Sequence, residues 1–324
     1  MKNIAIFLFL VIIIFILSAI NPLNCHAQKG IDYAFSLGVQ SGFVYGQSIE
    51  IVYPANTMAE LLSELLWDMK PVLYLGLQAD YGRINPMSIP GIFASLSFKA
   101  GIPGDSGYLE NRDWQSTQNT ALTNYSRHTN ATNAFLMLDL AVGASIPIGS
   151  VLYIKPFISG SWMHFSFTGR DGFYQYASGG GGIYGPIEDA PIISEYGKAI
   201  TYQQDWLLIA AGLTAGTNYF APFSFELTFQ ISPLTYCAAI DNHIKRNTIF
   251  NDYTFLGLFI EPKGRISFTV GNIDFSLEAA YRHIGRTRGV CFIKQGNNAY
   301  TLSASDSGAA LEIFDARFIV SYRF

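Results

Sequence analysis

The chain has 324 residues, half of them apolar and only 14% charged, with a formal net charge of −4. Soluble domains usually carry about 25% charged residues, so broad apolar surfaces are expected, and the lack of a basic excess argues against nucleic acid or another general polyanion as a partner. Aromatic residues at 15%, together with 30 glycines, favour a β-rich chain.

The N-terminus opens with Lys2 and an apolar run from Ile4 to Ile20, followed by Pro22 and Cys25-His26-Ala27. A charged segment, an apolar segment and a small-residue cleavage site in that order predict a signal peptide over residues 1–27 and one mature domain over residues 28–324. The run is short of the ~20 residues that a spanning helix needs, and Pro22 and Asn24 do not suit a lipid-modified Cys25. Export places Cys237 and Cys291 in an oxidising compartment. Neither lies in a CxxC or CxxH pattern, so the sequence supports no metal site and no particular disulfide, and no cofactor is expected.

From Tyr33 onward the side chains alternate with period 2. Tyr33, Phe35, Leu37 and Val39 line one face of a first strand, with Ser36, Gly38 and Gln40 on the other. The pattern returns where Phe225, Leu227 and Phe229 alternate with Glu226, Thr228 and Gln230, again from Ile273 to Tyr281, and last from Ala316 to Phe324. Bare acids and arginines on one face against large aromatics on the other are what lipid outside and a polar interior require. The predicted fold is therefore all-β, a transmembrane antiparallel β-barrel of about ten strands with long extracellular loops. The strands fall near residues 31–49, 61–81, 91–102, 129–147, 151–173, 198–217, 221–238, 250–268, 272–289 and 308–324. Gly149-Ser150, Tyr219-Phe220 and Gly271-Asn272 mark tight turns at one end, whereas residues 103–128, 174–197, 239–249 and 290–307 read as the long loops. A barrel of this size is filled by its own side chains and leaves no open diffusion pore. Many strands exceed the ~9–11 residues that cross a bilayer, so the wall should stand above the membrane and carry a rim into the medium.

At that rim the loop expected over residues 239–249 holds Asp241 and His243, two residues apart and therefore on one side of extended backbone. A neutral imidazole accepts a proton from water near neutral pH, and a neighbouring carboxylate stabilises the imidazolium. The same triplet is also an ordinary feature of solvated loops. Two further polar stretches occupy other connections. One is Leu109-Glu110-Asn111-Arg112-Asp113-Trp114 with Thr123-Asn124-Tyr125-Ser126-Arg127-His128; the other is Gly46-Gln47-Ser48-Ile49-Glu50-Ile51-Val52-Tyr53 with Ser63-Glu64-Leu65-Leu66-Trp67. In order and spacing these stretches, with Phe165-Ser166-Phe167-Thr168 and the closing Phe324, resemble the omptin family of outer-membrane proteases over nearly the whole mature chain.

The resemblance implies an aspartic-type endopeptidase of the bacterial outer membrane that holds a water between an Asp pair and an Asp-His pair across a rim groove. Asp113, Asp241 and His243 fall on three of those four places and Asn111 on the fourth, where an amide binds water but accepts no proton. Glu110, one residue away, faces the other side of extended backbone. Glu50 falls on an acid at the bottom of the pocket for a substrate Arg or Lys, where charge-assisted hydrogen bonds favour a basic side chain. The family's second pocket acid is replaced by Ala239, and Asn124 replaces a further acid. Two places of the basic grip on lipopolysaccharide fall on His164 and Asp205, so the implied dependence on that lipid loses support. The alternative to a protease acting on peptides or proteins is a non-catalytic surface adhesin or pseudoprotease of the same fold, with Asn111 as its main support. Parity sets one condition: counting on from Phe229 turns Asp241 and His243 outward unless a bulge or bend intervenes near Pro233.

Overall fold

The computed structural model describes residues 33–55 and 59–324, so the expected signal peptide lies outside the described residues. Ten antiparallel strands form the wall. They are β1 (Tyr33–Val52), β2 (Ser63–Arg83), β3 (Gly91–Gly101, resuming as Gly104–Asp113), β4 (Asn124–Ile148) and β5 (Leu152–Tyr176). There follow β6 (Ile193–Thr217), β7 (Phe223–Ser232 and Thr235–His243), β8 (Thr248–Phe255 and Phe259–Val270), β9 (Ile273–Ile284 and Arg288–Gln295) and β10 (Ser307–Arg323). Each strand pairs with its neighbours in sequence, and β10 returns to β1 with Val39 opposite Val320, which closes the ring.

Around its middle the barrel turns apolar side chains outward. Leu37 and Val39 on β1, Leu75 and Leu77 on β2, Leu227 on β7 and Leu277 on β9 are all exposed, and bilayer hydrocarbon is the solvent that suits them. The interior at this height is ionic, with its charges paired: Lys99 with Asp315, Arg317 with Glu278, and Arg282 with Glu261 at 2.5 Å and with Asp139 at 3.1 Å. Buried charges are tolerable only when so paired, and this network crosses the lumen.

Above the band the arrangement inverts. Inward positions carry Trp67, Phe135, Phe165, Phe167, Tyr202 and Trp206, all fully buried, while outward positions carry Glu110, Arg112 and Arg127. Trp67 stacks on Tyr202 at 5.2 Å and on Phe167 at 5.7 Å, so an apolar plug forms the floor of the rim.

The inversion corrects the expected loops. Strand structure runs through Gly104–Asp113, onward from Asn124, and through Thr235–His243 and Arg288–Gln295. The connections shrink to residues 114–123, 177–192, 244–247 and 296–306. With water outside and apolar packing inside, outward hydrophobicity stops before the strands do. The parity condition is met at Pro233-Leu234, where β7 breaks. Below the break Gln230 and Ser232 are buried; above it Thr235, Cys237, Ala239, Asp241 and His243 are. Proline donates no ladder hydrogen bond, so it costs least at such a joint. β8 and β9 break beside it, at residues 256–258 and 285–287, where Leu256 N–H donates to Thr235 O and Gly285 N–H to Leu258 O, both at 2.9 Å.

Candidate active site

Asp241 and His243 stand on the upper half of β7, in strand and not in a loop. The turn at Ile244–Arg246 sends the chain straight back into β8, placing Asp241 opposite Phe250 and His243 opposite Thr248. Because both residues share one strand face, His243 Nε2 meets Asp241 Oδ2 at 2.6 Å. Phe250 packs edge-on against the imidazole, with ring centroids 5.4 Å apart, and limits its tilt. Asp241 is almost completely shielded from solvent.

β3 supplies Asn111 and Asp113, both buried and again in strand. Ser63 of β2, opposite Asp113 in register, donates its hydroxyl to Asp113 Oδ1 at 2.7 Å and lies 3.2 Å from Asn111 Oδ1. Asn124 of β4 donates Nδ2–H to Asp113 Oδ2 at 3.3 Å. Burial pushes the Asp113 carboxyl above its ordinary range; these two donors pull it back, as do the charges of Arg246 and His243. Glu110 faces outward, as its parity required, and binds Arg112 at 2.7 Å.

Glu50, on β1 opposite Leu65 and Ala309, points inward and is buried. Burial first, then the nearby Asp241 and Asp252 carboxylates, hold its carboxyl well above the usual range. Asp252 was not singled out by the sequence. It enters from β8 directly opposite Ala239. Burial pushes its carboxyl up to about 7, with Asp241 adding to the rise and hydrogen bonds from Cys291 and Ser307 opposing it. The only signal for Asp252 is the register across the β7–β8 turn, which appears once that turn is known. Beneath these acids Gln204 Oε1 accepts from Ser48 at 2.6 Å and from Trp206 at 2.7 Å, and Gln204 Nε2 donates to the Tyr202 hydroxyl at 3.0 Å. Cys237 and Cys291 are buried and free. On the outer wall His164 Nδ1 and Asp205 Oδ1 lie 3.0 Å apart, a hydrogen-bonded pair where a basic grip would need cations.

A closed ten-stranded barrel with a lipid-facing belt, an ionic lumen and an inward Asp-His pair on its upper rim is built as a bacterial outer-membrane protein is. The family model for omptins matches residues 31–324, and the chain belongs to the omptin family of outer-membrane proteases. Its fold is similar to the crystal structure of the outer membrane protease OmpT from Escherichia coli, with a TM-score of 0.79 and 18% identity over 92% of this chain and 100% of that one. The translocator domain of the autotransporter NalP from Neisseria meningitidis gives a TM-score of 0.34 at 11% identity, covering 94% of this chain and 91% of that one. The toluene transporter TodX from Pseudomonas putida gives 0.32 at 10%, covering 92% and 90%. Likenesses that faint carry no argument about this chain. No curated protein sequence matches it.

Proposed function

We propose that the chain is an omptin-type endopeptidase that cleaves peptide bonds at the extracellular rim through a water activated by side chains. His243 takes a proton from that water, and Asp241 orients the imidazole and stabilises its cation. Asp113, fixed by Ser63 and Asn124, holds the water from the opposite wall together with Asn111. Asn111, whose Oδ1 lies 3.2 Å from the Ser63 hydroxyl, offers its amide hydrogens to the water. The hydroxide attacks the scissile carbonyl, and the proton on His243 passes to the departing amine. Glu50, below the dyad, favours a basic side chain next to the cleaved bond. The observation that carries this reading is the 2.6 Å contact between His243 and a shielded Asp241 on an inward strand face.

A second reading rests on Asn111. With an amide in place of one acid, the barrel is a non-catalytic adhesin or pseudoprotease. The outward His164–Asp205 pair gives lipopolysaccharide no cationic seat at that place under either reading. Mass spectrometry of a peptide library exposed to refolded protein separates the two. Cleavage lost in Asp241→Asn supports the endopeptidase, cleavage that survives it removes the dyad from the chemistry, and an uncut library favours the second reading.

A further inference from the structure

Glu50 and Asp241 reach toward each other from β1 and β7 and share a side-chain hydrogen bond beneath the groove. Both are almost fully buried, at 3% and 1% exposure, and among the described residues neither Glu50 Oε2 nor Asp241 Oδ1 meets a hydrogen-bond donor. Two ionised carboxylates have only acceptors to offer each other, so a contact of this kind needs one proton between them.

The surroundings decide which of the two carries it. Asp241 has the imidazole of His243 on its Oδ2 at 2.6 Å, and that neighbour favours the ionised carboxylate. Glu50 has no such support. The charges that act on it most strongly are two further acids, Asp241 and, from β8, Asp252, and its remaining neighbours are the Trp67 indole, which hydrogen-bonds to it, and the buried Tyr202 phenol. Lower in the lumen the same chain gives buried acids a base: Asp139 and Glu261 have Arg282, Glu278 has Arg317 and Asp315 has Lys99. Glu50 is as deeply buried and receives none, and a carboxyl group so placed stays neutral.

We propose that Glu50 holds a proton and donates it in a hydrogen bond to Asp241, which makes Glu50 a positioning residue for the Asp-His dyad. The positioning role rests on the endopeptidase reading; the placement of the proton does not. Held through Oδ1, the Asp241 carboxylate keeps Oδ2 on the imidazole, His243 Nε2 keeps its hydrogen, and Nδ1 is left to take the proton of the water. A line of contacts thus runs from the Trp67 indole through Glu50 and Asp241 to His243. A substrate cation drawn to Glu50 displaces the proton to bulk water, so the positioning role is read on a peptide with norleucine before the cleaved bond.

Infrared difference spectra between wild type and Glu50→Gln, refolded in detergent at neutral pH, read the proton directly. Wild type should show the carbonyl band of a protonated carboxyl group that the variant lacks, and a difference made of carboxylate bands alone overturns the proposal. Kinetics on the norleucine peptide read the positioning. Glu50→Leu should lower kcat ~10-fold or more, as expected for a lost hydrogen bond to a charged group, with a smaller change in KM. Glu50→Gln should recover most of that loss, because its amide carbonyl accepts from Trp67 and its amide N–H donates to Asp241 without adding a charge. Equal losses of kcat in the two variants, or a loss confined to KM, overturn the positioning role. Glu50→Ala replaces the leucine variant if the latter fails to refold. If wild type cuts no peptide, the endopeptidase reading falls on its own, and the infrared band still decides whether Glu50 carries the proton.

Discussion

Restoring a carboxylate at Asn111 tests the catalytic reading most directly. Asn111 Oδ1 and Asp113 Oδ1 lie 3.2 and 2.7 Å from the same Ser63 hydroxyl, so Asn111→Asp sets two acids within roughly 6 Å, the range in which like charges perturb each other. At an effective dielectric of about 20 the repulsion is about 3 kcal/mol, or about two pK units placed on one member of the pair. Burial already raises Asp113, so the pair becomes a better proton acceptor near neutral pH, and its extra charge stabilises the imidazolium across the groove. General acid–base groups contribute ~10²–10⁴-fold, so even a fraction of such a contribution should raise kcat/KM at least ~10-fold, with the pH optimum moved upward. The assay is kcat/KM against pH on a peptide that wild type cuts. A folded Asn111→Asp protein that cuts nothing refutes the endopeptidase. One slower than wild type shows that the amide has its own part in positioning the water.

Three further outcomes follow from the same geometry. Asp241→Asn should lower kcat ~10²–10⁴-fold with a smaller effect on KM, because it removes the orienting acid and not the groove; a loss confined to KM contradicts this. Glu50→Gln should reduce cleavage after Arg or Lys more than after apolar residues, and equal losses on both substrate classes would take Glu50 out of the pocket. The Asp252 carboxyl, about 7 when folded against an ordinary 3.8, binds its proton more tightly in the folded state. Its contribution to stability is therefore present below the unfolded value and lost as pH rises through about 7, a change on the order of 4 kcal/mol. Asp252→Asn should raise Tm at about pH 8 and barely alter it at about pH 4; equal shifts at both would refute the burial argument.

The membrane-crossing part of the barrel was legible because lipid outside and ions inside print a period-2 pattern on each strand. Glu50 was placed inward by counting from Ser36, and the count holds past Val44 because the extra residue at the irregularity there lies on β2. The dyad and the Asn111–Asp113 pair were legible because each sits on one strand, two residues apart. The upper strands were mistaken for loops because their environment reverses: Trp67 and Tyr202 point in while Glu110 and Arg127 point out. Asp252 and Ser63 were missed for another reason. What they do depends on which residue faces them on the next strand, and that depends on turn length, which composition does not encode.

The aligned breaks in β7, β8 and β9 make this barrel divisible in evolution and in the laboratory. A one-residue insertion at Pro233 would invert every side chain of the rim segment on β7 and leave the belt below untouched, because side-chain parity is reset at the joint. Rim and belt can accordingly drift at different rates, the first answering to substrates and the second to lipid. A chimera joining the upper segments of one omptin to the lower wall of another has its natural splice points at these breaks.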